Sequence, residues 1–168
     1  GILQRENNIP IATHSPKGAI SHINTLIKSG ANPEHIFISH LDKGINSKKG
    51  YEERLHEINE VFSTGAYVLF SEFGSREYNK KNINAPIMKI LKTLFDSGKI
   101  DKILISADSN WRWKNGKIVV KDSFRGGNKK TYDYVFTQII PTLKSIGLSE
   151  NDIYKILVNN PKKLFDFF

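Results

Sequence analysis

Four short apolar runs, each followed by a stretch with apolar residues at helical spacing, constrain this fold more than any other feature. The runs are "IPIATHS" (residues 9–15), "HIFISHLD" (35–42), "AYVLFSEFG" (66–74) and "KILISAD" (102–108). The first is bounded by Pro10 and a Ser15–Pro16 turn. Between the runs, Ile20, Ile23, Leu26 and Ile27 recur at helical intervals before Gly30, and Leu55, Ile58 and Phe62 share one helix face before Gly65. "NAPIMKILKTLFDSG" predicts a third helix, with Pro86 in its first turn and Gly98 at its end. "TYDYVFTQIIPTLKSIG" predicts a fourth, kinked at Pro141. In the closing "SENDIYKILVNNPKKLF", Ser149 is the expected N-cap and Asn160–Pro161 the end of the first helical run. Continuously apolar strands alternating with helices predict an α/β domain with a parallel sheet covered on at least one face. The polar segment 109–130, with Trp111, Trp113 and Gly126–Gly127, is too long for an ordinary βα loop and is expected to be functional or mobile. "RGG" at 125–127 reads as a loop hinge.

The chain has 168 residues, no cysteine and a formal net charge of +8. That length predicts one domain. Without cysteine there are neither disulfides nor thiolate metal sites, which fits a reducing, cytoplasmic setting. No apolar run is long enough to span a bilayer, and "GILQRENNIP" lacks a signal-peptide pattern. The basic excess raises nucleic-acid binding as one reading. It is disfavoured because the lysine pairs 48–49, 80–81, 129–130 and 162–163 are scattered over connections and helix ends, without interleaved aromatics.

Three of the four strand runs deliver a metal-ligand type of residue at the same end: His14, His40 and Asp108. In parallel α/β folds, functional residues collect at the C-terminal ends of strands. Imidazole and carboxylate are the usual ligands of catalytic zinc where cysteine is absent. One strand-end histidine alone more often serves structure; three ligand-type residues at equivalent strand ends together point to a metal. His22 and His56 fall on helices, and His35 begins a strand at the opposite end. "HEINE" lacks the second histidine of a helical zinc motif. Asp42 has two readings, an orienter of His40 or a cap on the following turn. Trp111, Arg112 and Trp113 either cover the mouth of the sheet by packing or bind substrate, the tryptophans lining an apolar pocket and Arg112 meeting an anion.

The segments "IATHS", "GANPEHIFISHLD", "LISADSNW" and "NDIYKILVNNPKKLF", in this order, resemble the C-terminal half of the phosphotriesterase-related family of the amidohydrolase superfamily. The resemblance implies a (β/α)8 TIM barrel with a binuclear metal centre, usually zinc. It implies that His14 and His40 are ligands of the second, more exposed metal. Asp108 would be a ligand of the first and the proton acceptor for a bridging hydroxide, the expected nucleophile. The implied substrate is a small-molecule lactone or similar ester. The family's H-x-H and its bridging carboxylated lysine do not occur in this sequence. Ser71 and Glu72 stand where lactonase-like members carry an aspartate–arginine pair. The chain offers about four βα units, whereas a complete barrel takes roughly 250 residues. The expectation is one domain over residues 1–168, the C-terminal half of a barrel plus a C-terminal helix. Its N-terminal half would be a missing partner, and homo-oligomers are expected. The alternative is a non-catalytic half barrel that only assembles with a partner chain.

Overall fold

The computed structural model describes residues 1–7, 9–14, 18–43, 45, 48–73, 86–109, 111–120 and 131–166. The four apolar runs become strands β1 (Ile11–His14), β2 (Ile36–Ser39), β3 (Tyr67–Phe70) and β4 (Ile103–Ile105). They form one parallel sheet in the order β1-β2-β3-β4. Helices α2 (Ala19–Lys28), α3 (Lys48–Ser63) and α4 (Pro86–Asp96) carry the three crossovers. Strand order follows chain order with no reversal, so the sheet winds in one direction, as in a barrel, and has no switch point of the doubly wound kind.

Pleating sorts the strand residues into two layers. Ile36, Ile38, Val68, Phe70 and Ile103 are buried in the main core with Ile23, Ile58, Val61, Ile90 and Leu94 of the helices. On the other face Tyr67 and Leu104 meet Leu164, with Phe37 and Leu69 packed beside them. This second face is the one a barrel turns inward, and an apolar cleft there is lined by Phe37, Leu69, Leu104, Ile156, Leu157 and Phe165.

The N-terminal ends of the strands are tied down by side chains. A short α1 (Ile2–Asn7), which the sequence reading did not anticipate, places buried Gln4 against Asn32. The Gln4 amide donates to the Asn32 carbonyl at 3.0 Å and accepts from its N–H at 2.6 Å. His35 lies at this end, as expected, with Nδ1 2.8 Å from the Leu164 carbonyl.

After β4 the polar segment contains an antiparallel hairpin, β5 (Trp111–Lys114) and β6 (Lys117–Val120). Its two-residue turn is Asn115–Gly116, at φ 52° and 72°. Both values are positive, as a type I′ turn requires, and Asn-Gly is the pair that tolerates them. The remaining chain forms α5 (Ile140–Ser145), α6 (Glu150–Tyr154) and α7 (Asn160–Phe165). Ser149 caps α6 through a reciprocal pair with Asp152. Asn160–Pro161 does not end the helical run: a π-helical turn, Lys155–Asn159, joins α6 to α7. Val135–Ile139 is another such turn, just before Pro141. Widening the turn ahead of a proline relieves the clash between its ring and the carbonyl four residues back. No described helix is long and apolar enough to cross a membrane. The Ser15–Pro16 turn, the lysine pairs 80–81 and 129–130, and the Gly126–Gly127 hinge lie outside the described residues.

Candidate metal centre

The C-terminal edge of the sheet gathers the chemistry. His14 is the last residue of β1 and His40 follows the last residue of β2; their register partners Thr13↔Ile38 and His14↔Ser39 make them neighbours. The two rings meet edge-on, with centroids 4.4 Å apart. His14 is exposed, whereas His40 is only 7% exposed.

The backbone leaves each strand sharply. His40 has φ 66° and Asp108 φ 47°, both in the left-handed region. A non-glycine residue there costs about 1–3 kcal/mol and persists only where its surroundings hold it. Those surroundings are apolar anchors. Leu41 and Ile45 bury the chain just after His40, Phe73 does so after Glu72, and Ala107 just before Asp108. Each polar group is thus held at the edge by a neighbour sunk into the core.

His40, Glu72 and Asp108 converge, with one ligand-type atom of each lying within 4.8 Å of the others. Glu72 follows β3 and was not singled out as a ligand from the sequence. The one available signal was its position, two residues past an apolar run in register with the runs ending at His14, His40 and Asp108. His40 Nδ1 lies 3.0 Å from Glu72 Oε1 and 3.0 Å from Ser71 Oγ. Lys43 Nζ reaches the same Glu72 Oε1 at 3.1 Å. Burial lowers the pKa of His40, and the nearby Lys43 ammonium adds to that effect. The ring is therefore biased toward the neutral form that binds metals.

Asp42 takes a part that neither reading gave it. It is fully buried, and its Oδ2 accepts the backbone N–H groups of Ser71 at 2.8 Å and Glu72 at 2.7 Å. It stitches the end of β2 to the end of β3 and so sets where Glu72 leaves the sheet. Burial pushes its carboxyl up to about 7, against the two N–H groups that favour its charged form.

Of the residues predicted to meet substrate, Trp113 stands on β5 and is 72% exposed. The side chains of Trp111 and Arg112 lie outside the described structure, although their backbone forms β5. His56 is on α3 and exposed, paired at 3.7 Å with Glu60, and His22 is exposed on α2. Both are remote in sequence from the strand ends, as expected. The donor set at the edge, imidazole nitrogen and carboxylate oxygen without sulfur, fits a divalent metal ion.

Comparison with known proteins gives one consistent answer. Residues 3–165 match the model of the Phosphotriesterase family. The sequence is 32% identical to the phospho-furanose lactonase of Mycoplasmopsis synoviae, over 94% of this chain and 42% of that protein. It is 28% identical to the mouse N-acetyltaurine hydrolase, over 98% of this chain and 45% of that protein. The fold superposes on the organophosphorus hydrolase of Deinococcus radiodurans with a TM-score of 0.77 at 24% identity, covering 98% of this chain and 48% of that one. The chain therefore spans about half the length of the relatives it matches.

Proposed function

Because the chain belongs to the phosphotriesterase family, we propose that it carries half of the metal centre of a hydrolase acting on a lactone or similar ester. The observation that carries this reading is the convergence at one sheet edge of His40, Glu72 and Asp108, with the His14 ring packed on His40. His14 and His40 would hold one divalent ion, and Asp108 would hold a second or share the first. Bound metal would polarise the ester carbonyl and acidify the attacking water. Asp108 lies exposed at the mouth and takes the water's proton on its carboxylate. His40, buried and neutral, keeps a nitrogen lone pair for the metal and does not compete for that proton. Trp113, open on its hairpin, would bind substrate together with its sequence neighbours Trp111 and Arg112. Lactones are favoured over other esters because the relative at 32% identity is a lactonase.

A second reading follows from the ligand set. The chain supplies no H-x-H and covers about half of each relative's length. In this reading the chain is a half barrel that performs chemistry only when a complementary half completes the centre.

The test is metal analysis together with hydrolysis. The chain, alone and mixed with the N-terminal half of a relative's barrel, is loaded with zinc and assayed on γ- and δ-lactones. Zinc held by the chain and lost in the His14→Ala, His40→Ala double variant supports the metal centre. Wild-type protein that takes up no more zinc than this variant would refute it. Turnover appearing only in the mixture would favour the second reading.

A further inference from the structure

Glu72 is not among the ligand-type residues that the strand ends offered in the sequence, yet its Oε1 lies 3.0 Å from His40 Nδ1, as close as Ser71 Oγ. We propose that Glu72 is the positioning residue for His40: it accepts a hydrogen bond from Nδ1–H, fixes the tautomer and ring orientation, and leaves Nε2 as the metal donor. This rests on the metal-centre reading above.

A carboxylate only accepts, so an imidazole nitrogen 3.0 Å from Glu72 Oε1 must carry the hydrogen. A neutral ring has a single N–H, and once it sits on Nδ1 the lone pair is on Nε2. The second neighbour of Nδ1 could dictate the opposite outcome. Ser71 Oγ, also at 3.0 Å, can either donate or accept. With Glu72 absent, a donating Ser71 hydroxyl would place the ring hydrogen on Nε2 and occlude the metal-binding position. Glu72 therefore decides between two tautomers that the serine alone leaves open.

Glu72 is itself held for this task. Its side chain is 14% exposed. Its backbone N–H is fastened to Asp42 at 2.7 Å, and Lys43 Nζ bonds the same Oε1 that faces His40 at 3.1 Å. Phe73, 5% exposed, anchors the next residue in the core. A carboxylate backing a metal-binding histidine orients the ring and raises its basicity, and its loss typically lowers metal affinity about 10–100-fold.

The experiment reads the tautomer directly. The metal-free chain is labelled with ¹⁵N-histidine, and long-range ¹H–¹⁵N spectra assign His40 by the signal lost in His40→Gln. The expected result is the Nδ1–H tautomer in the wild type and a shift toward Nε2–H in Glu72→Gln, whose amide can donate to Nδ1. Zinc affinity, measured by competition with a chromophoric chelator, should fall about 10–100-fold in Glu72→Gln and recover in part in Glu72→Asp. Thermal melting of each variant checks that the fold is kept. An Nε2–H tautomer in the wild type, or a Glu72→Gln protein with unchanged tautomer, would overturn the proposal, as would unchanged zinc affinity. If Glu72 were instead a direct ligand, zinc would be lost with no change in the metal-free tautomer, and that result also overturns it. A tautomer that shifts in a chain unable to bind zinc at all would support the positioning role while refuting the metal-centre reading.

Discussion

The rings of His14 and His40 touch edge-on at 4.4 Å from the ends of adjacent parallel strands. Parallel register alone puts two imidazoles side by side, because His14 pairs with Ser39 and the next residue of β2 is His40. Replacing either by Ala should lower zinc content and should reduce hydrolysis by orders of magnitude in the completed barrel, because a ligand is removed. Zinc stoichiometry by atomic emission checks it. Zinc stoichiometry unchanged from the wild type in both single variants would mean that the pair does not bind metal.

Asp108 should govern rate more than stability. It is exposed and held at φ 47°, so its side chain adds little to the core. Proton transfer by a positioned carboxylate contributes typically about 10²–10⁴-fold. Asp108→Asn in the completed enzyme should therefore lose about that factor in kcat while melting close to the wild type. Full turnover at full metal occupancy would assign the carboxylate another task.

Much of this site was legible in the sequence because strand ends are written plainly. A run such as Ile36–Ser39 announces both its strand and the residue that follows it, so His40 and Asp108 could be placed without coordinates. Glu72 could not, because its role depends on a contact across 32 residues of sequence that only sheet pairing creates. The hairpin was legible in principle. Trp111-Arg112-Trp113-Lys114 alternates apolar and basic residues, and Asn115–Gly116 is a strong hairpin signal, but the polar character of the surrounding segment masked it. The helix through Pro161 was hidden for the opposite reason: proline normally stops a helix, and a π turn upstream removed the clash.

Asp42 links stability to pH. Its carboxyl rises from 3.8 to about 7 on folding. Between those values the folded chain retains a proton that the unfolded chain has released, so its contribution to stability falls as pH rises through that window and levels off above 7. Asp42→Asn keeps an acceptor oxygen for the Ser71 and Glu72 N–H groups but does not titrate. Compared with the wild type in urea unfolding of chelator-treated protein, it should lose less stability between about pH 4 and 7. Asp42→Ala should be destabilised throughout, by about 1–3 kcal/mol for each N–H left unpaired. Parallel pH profiles for the wild type and Asp42→Asn would show that this carboxyl is not shifted.

Asn160 fastens the C-terminal helix to the sheet. It is fully buried, and its amide donates to the carbonyls of Ile100 at 2.7 Å and Ile103 at 2.8 Å, at the entry to β4. Asn160→Ala leaves both carbonyls without this donor and should cost about 2–4 kcal/mol. Asn160→Asp should be at least as damaging, since a carboxylate cannot donate. Chemical denaturation measures both, and an alanine variant of wild-type stability would show that water replaces the amide there.

The last expectation concerns association. Among the described residues β1 pairs only with β2, and β4 only with β3, so the sheet has two open edges. The face that a barrel would turn inward carries Phe37, Leu69 and Leu104 beside an apolar cleft covered in part by the C-terminal helix. Open strand edges and an apolar face both favour pairing with another chain. The formal net charge of +8 opposes association through self-repulsion but does not cover those edges. The isolated chain should therefore scatter light as a dimer or larger species at micromolar concentration. Its turnover of lactones with added zinc should be negligible, because the recorded donors supply only part of a binuclear centre. Adding a complementary N-terminal half barrel should both reduce self-association and raise turnover, since one docking event would cover the edges and complete the ligand set. A stable monomer whose turnover matches that of a full-length relative would show that these residues form a complete site on their own.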